Sequence, residues 1–239
     1  MTWLLVASAV CYLLGSSWIP LFAAGLLAQS LYLAQRGLTL GRLPLLGPHD
    51  TLSFFALSIA IMALITALSH SVRRTRWFRV SSGISAGLFT IFALSFKPLN
   101  MPLPQILDTL WFELHVVLAF FSYALFILGG LFCAAFLLRG ERSYLDIQFK
   151  TALVGWSFFS ASMVAGGIWG YYAWGTYWLW TAKELWTSIL WLFYALLLHL
   201  RLKGAAWDRL TAWLGIAGAG VMLFTYLGVS MLMKSSHSF

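Results

Sequence analysis

Apolar runs of about 18 to 25 residues, broken only by short polar or basic segments, recur along this chain, and they leave few folds open. Backbone amides and carbonyls placed in lipid must be paired within the protein, which only helices and closed barrels achieve. Barrel strands alternate apolar and polar residues over about ten positions, and these runs do not alternate. Charged residues make up 9% of the 239, against about 25% in an ordinary soluble domain, so polar side chains cannot cover a body of this size. The sequence predicts an all-α, polytopic membrane protein, a single transmembrane helical domain over residues 1–239.

Reading the runs between breakers predicts about eight spans, near 2–17, 19–36, 51–71, 77–96, 110–138, 149–168, 184–202 and 209–232. The fifth is long for one crossing and is expected to tilt or to project from the bilayer. The first run lacks a basic leader and another apolar run follows at once, so it reads as a retained span. Arg73, Arg74, Arg76, Arg79, Arg139, Arg142, Lys150, Arg201, Lys203 and Arg209 fall on one side of this topology, and Arg36, Arg42, Lys97, Lys183 and Lys234 on the other. The more basic side is expected to be cytoplasmic, which puts both termini and residues 169–183 on the outer face.

This loop bias also accounts for the net charge of +8, and no basic face with interleaved aromatics lies outside the spans, so nucleic acid is not an expected partner. Cys11 and Cys133 both lie inside apolar runs and read as packing residues. No CxxCH motif occurs, which excludes covalent haem of the usual c-type.

The densest signal is Trp169 to Trp191, WGYYAWGTYWLWTAKELWTSILW, which holds six of the 13 tryptophans with Tyr171, Tyr172 and Tyr177 between them. Two readings stand. Trp and Tyr collect at headgroups in ordinary interfacial belts. Flat, rigid aromatic surfaces crowded into one loop, here with Gly166, Gly167, Gly170 and Gly175, also suit a large planar ligand approached closely by backbone. His115 opens the fifth span and His237 follows the eighth, both on the face of this loop, and neutral imidazole is a standard axial ligand of haem iron. His199, in LLLHLRLK near the inner end of the seventh span, is about 28 Å along the helix from Trp180. An ionisable residue inside a span is a functional candidate, although a snorkelling or capping residue beside Arg201 explains it as well. His49 and His70 lie in or beside loops and read as structural.

At these residues the chain resembles the CcsA/CcmC/HemX-like family of cytochrome c assembly and haem-handling membrane proteins. The family signature, an outer loop of the form WGxYWxWDxKE followed by an apolar helix ending in histidine, is matched at Trp174, Gly175, Tyr177, Trp178, Trp180, Lys183 and Glu184, then at Trp191, Tyr194, His199 and Arg201. LHVVLAFFSYALFILGG looks like the family's outer histidine and following helix, and YLGVSMLMKSSHSF like its closing segment. With GRLPLLGPHDTLSFFALS, the resemblance covers residues 41–239. Thr181 stands where the family has aspartate, and Glu184 is the nearest carboxylate to take over that role.

The resemblance implies non-covalent haem b, with His115 and His237 as axial ligands to the iron and His199 as an intermediate ligand within the bilayer. Trp169, Trp174, Trp178, Trp180 and Glu184 are the further cofactor-binding candidates. It implies haem presentation at the outer face of a bacterial cytoplasmic membrane for attachment to apocytochrome c, as one component of a haem lyase, beside a membrane partner subunit with an outer domain (CcsB/ResB-like). No catalytic residue is named by it. A HemX-like protein that senses haem without attaching it is the alternative, and Thr181 leans towards it. A haem-free transporter would bury more polar residues in its spans, and a two-haem electron carrier would stack histidine pairs across the bilayer.

Overall fold

The computed structural model describes residues 2–15, 19–68 and 75–232, and all regular structure among them is helical. The order is α1 (Thr2–Leu14), α2 (Ile19–Leu40), α3 (Gly47–Ala67), α4 (Arg76–Leu94), α5 (Leu110–Arg139), α6 (Ser143–Trp174), α7 (Ala182–Leu202) and α8 (Asp208–Leu223). The last continues through a π-helical turn (Phe224–Gly228) into α9 (Val229–Leu232). His70 and His237 lie outside the described residues.

Six stretches among the described residues are both long and apolar enough to cross a membrane: α3 to α7, and Ala205–Leu232. Eight were expected. α1 is apolar but its 13 residues reach only about 20 Å. α2 is long enough, but from its middle onward it carries Gln29, Gln35 and Arg36, and the buried Gln29 and Arg36 bond to protein neighbours. The fifth span is long, as expected, with 30 residues, and α6 is longer still with 32, about 48 Å.

That length corrects the extent of the tryptophan loop. Trp169 to Trp174 belong to the last turns of α6, and the irregular segment is only residues 175–181. The glycines of this region seat neighbours against the helix instead of breaking it. A Cβ on Gly166 would lie 2.6 Å from the His115 ring, and one on Gly170 would lie 3.3 Å from the Thr176 carbonyl oxygen. The helix stops at Gly175, whose left-handed φ of +73° suits glycine and whose N–H closes on the Tyr171 carbonyl at 2.9 Å.

The chain divides into two compact units, Met1–Leu103 and Pro104–Phe239. In the first, α1 packs on α2 and α4, and α3 packs on α4. Its polar groups form cross-links between helices. Gln29 Nε2 donates to the Ser53 carbonyl (2.9 Å) and to Thr90 Oγ1 (3.4 Å), joining α2, α3 and α4. Arg36 grips Asp50 through Nε (2.5 Å) and Nη2 (2.9 Å) and also donates to Asn100 Oδ1 and the Leu99 carbonyl. His49 beside them is buried, receives the Tyr32 hydroxyl at Nε2 (2.6 Å) and donates from Nδ1 to the carbonyls of Ala93 (2.9 Å) and Phe96 (3.0 Å). Both ring nitrogens are therefore committed, and His49 is a structural residue.

In the second unit α5 packs along α6 and α8, and α7 lies against α6 and α8. Small residues set the α5–α8 approach: Gly215 faces Cys133, and Gly130 faces Ala219. Phe126 and Tyr194 stack at 3.5 Å between ring centroids, fixing α5 against α7. One end of this unit is closed by charge. Asp208 accepts from Arg142 (2.6 Å) and Arg201 (3.2 Å), and Arg201 also reaches Asp146 (2.6 Å). The opposite end is aromatic.

Candidate functional site

The aromatic end is organised by the start of α5. Thr109 caps that helix, accepting from the Phe112 amide at 3.2 Å, and this places His115 in the second turn. Three residues on one face of α6, Ser162, Gly166 and Trp169, sit at the i, i+4, i+7 spacing of a helical stripe and hold the imidazole between them. The ring Nδ1–H donates to the Ser162 carbonyl (2.8 Å), and the Ser162 hydroxyl donates to the carbonyl of His115 (2.8 Å). Gly166 supplies the space the ring occupies. The Trp169 indole lies nearly parallel to the ring, 18° between planes and 6.4 Å between centroids.

A carbonyl oxygen can only accept, so Nδ1 carries the proton and Nε2 keeps its lone pair. Metal-ligating histidines are oriented by this kind of outer hydrogen bond, which fixes the tautomer and raises the basicity of the ligating nitrogen. The residues present thus fit an axial haem ligand. Among the described residues no three His, Cys, Asp or Glu side chains cluster as a bare metal ion would need.

The tryptophans divide by task. Trp169 is 3% exposed, donates from Nε1 to the Ile106 carbonyl (2.7 Å) and packs on Phe112 and Trp174. Trp191 donates to Ser160 Oγ (2.8 Å) and receives Trp156 on its own carbonyl (3.1 Å), so it ties α6 to α7. Tyr171 and Tyr177 stack at 4.7 Å and 16° across the turn. Trp178 is half-buried in that turn, and Trp180 is exposed.

Thr181 and Glu184 form a capping box at the start of α7. Thr181 Oγ1 accepts from the Glu184 amide (3.3 Å), and Glu184 Oε2 accepts from the Thr181 amide (2.8 Å) and hydroxyl (3.1 Å). The Leu179 amide also lies 3.1 and 3.2 Å from the two carboxylate oxygens. Threonine and aspartate are both strong N-caps, so the exchange at position 181 keeps the local fold and removes one negative charge.

His199 is exposed on α7, with Nδ1–H donating to the Ala195 carbonyl at 2.7 Å, two residues before the Arg201 of the charged end. It is about 24 Å along α7 from Lys183. The described contacts therefore join His115, Trp169 and Trp174, place Glu184 on the backbone around Trp180, and leave His199 at the far end. His237 lies outside the described residues. Reading the sequence did not single out Ser162, and it gave Lys183 a place in the signature but no role at the site. Ser162 is found by its helical spacing to Gly166 and Trp169. Lys183, whose Nζ is 3.2 Å from Ser230 Oγ, ties α7 to α9 beside the aromatic turn.

This architecture defines a multi-pass helical membrane protein with a tautomer-fixed histidine among aromatics at one end of its second unit. Residues 46–237 match the cytochrome c assembly protein family, and the chain belongs to that family. It is similar to cytochrome c biogenesis protein CcsA of Chlamydomonas reinhardtii, 28% identical over 83% of this chain and 61% of that protein. It is likewise similar to CcsA of Prochlorococcus marinus, 27% identical over 88% of this chain and 79% of that one. CcsA of a Picosynechococcus is 25% identical over 89% and 84%.

Proposed function

We propose that the protein binds haem b non-covalently at the aromatic end of its second unit and presents it at the outer face of a bacterial cytoplasmic membrane for attachment to apocytochrome c. The observation that carries this reading is the bond from His115 Nδ1 to the Ser162 carbonyl, which leaves Nε2 available to iron. His237 is the proposed second ligand. Lys183 brings α9 to the aromatic turn, and the five residues from Leu232 to His237 span at most about 17 Å. The loop charges support the orientation, with the aromatic end and both termini outside.

Trp169 and Trp174 hold His115 in place, Trp178 and Trp180 offer planar apolar surface, and the Lys183 ammonium is suited to a carboxylate such as a haem propionate. Haem held there supplies two vinyl groups, across which the thiols of an apocytochrome CxxCH segment add to form thioethers. The protein's own contribution is position and orientation. His199 serves as a relay ligand within the bilayer, and a CcsB/ResB-like membrane subunit supplies the outer domain that receives the apocytochrome.

The test is complementation. In a bacterium lacking its own assembly factor, the gene with its partner subunit restores covalently haem-stained c-type cytochromes. Haem-loaded protein without any restored cytochrome contradicts attachment and leaves a haem sensor.

A further inference from the structure

Trp180 is the one non-glycine residue with positive φ among the described residues, at +57°. That region is sparsely used by side-chain-bearing residues, and for one as bulky as tryptophan it is an outlier. Packing does not repay the strain, since the side chain is 72% exposed. A belt residue does not need it either, because indoles reach headgroups from ordinary helical backbone. The cause is visible in the bonds on either side. The amides of Leu179 and Thr181 flank Trp180 and both point at the Glu184 carboxylate. A capping box requires only the Thr181 amide. The second grip, on Leu179, folds the backbone around the carboxylate and turns Trp180 outward.

We propose that Glu184 is a positioning residue: by holding the amides on both sides of Trp180, it fixes the indole as part of the haem-binding surface. This rests on the haem reading above. Strained backbone persists where surrounding bonds over-determine it, and such sites concentrate at ligand clamps. An exposed indole three residues from the Lys183 ammonium suits an apolar planar ring that carries carboxylates.

The test is a double-mutant cycle on the full chain purified in mild detergent, reading haem retained per polypeptide from the Soret band and affinity from hemin titration. Glycine adopts the left-handed region freely, so Trp180→Gly keeps or raises the melting temperature while hemin affinity falls about tenfold. Glu184→Ala lowers affinity similarly, and Glu184→Gln, which keeps an acceptor oxygen, loses less. Because Glu184 acts through Trp180, Trp180→Gly/Glu184→Ala loses no more than Trp180→Gly alone. Unchanged affinity in Trp180→Gly, or losses that multiply in the double variant, overturns the role of Glu184 while the haem site stands. Absence of haem from the unaltered protein overturns both.

Discussion

The imidazole of His115 and the main-chain carbonyl of Ser162 lie 2.8 Å apart, and this bond settles which ring nitrogen is left for chemistry. The donor is side chain and the acceptor is backbone, so no substitution at position 162 removes the bond directly. What a substitution can do is move the ring.

Gly166→Ala does so. Its Cβ would lie 2.6 Å from Nδ1, closer than nonbonded atoms approach, so the imidazole must leave its place beside the Ser162 carbonyl and the Trp169 indole. Haem content is expected to fall about tenfold or more, with any residual haem showing altered α and β bands. Ser162→Ala keeps the carbonyl that holds Nδ1 and loses the hydroxyl, which donates to the His115 carbonyl and lies 3.1 Å from Nδ1, so it costs about 1 kcal/mol of stability and little haem. Comparing the two by Soret absorbance per polypeptide separates ring position from general stability.

Replacing His115 and His237 together is expected to abolish haem bound at the aromatic end. Trp178→Ala weakens it by several-fold and leaves the fold intact, because Trp178 is only half-buried. Hemin titration measures both.

His199→Ala is expected to act on loading. The residue is exposed and far from the aromatic end, so the spectrum of whatever haem is bound stays unchanged. Haem per polypeptide falls in cells, and hemin added to the purified variant restores it. A changed spectrum in the restored variant contradicts a relay role.

In the first unit, the buried Arg36–Asp50 pair is expected to dominate stability. Removing one partner strands the other, at about 3–5 kcal/mol, so Arg36→Ala and Asp50→Ala each lower the melting temperature by roughly 10 °C. The double variant loses less than the sum, measured by thermal unfolding in detergent.

Much of this architecture was readable because lipid imposes one rule everywhere: long apolar runs must be helices. The Trp169–Glu184 segment and the position of His115 were legible from residue type and order. The tryptophan loop was drawn too long because glycines at 166, 167 and 170 look like breakers in one dimension. In three dimensions Gly166 and Gly170 are the places where a ring or a carbonyl presses against α6. Arg36 was counted among loop charges, since a sequence does not show that Asp50, Asn100 and the Leu99 carbonyl await it. Ser162 carried no signal by type, because serine is common in these helices and it is the backbone carbonyl that meets the His115 ring. Glu184 stands out in the sequence by its place in the signature, but the sequence does not show that its carboxylate oxygens accept from the Leu179 and Thr181 amides.

The most direct measurement is the absorption spectrum of the chain purified in mild detergent, recorded oxidised and then after dithionite. The account predicts a Soret band with sharp reduced α and β bands, the signature of six-coordinate bis-histidine haem, lost in the His115/His237 double variant. A protein without a Soret band, even when haem is supplied during expression, contradicts the haem site and leaves the tryptophans as an aromatic belt.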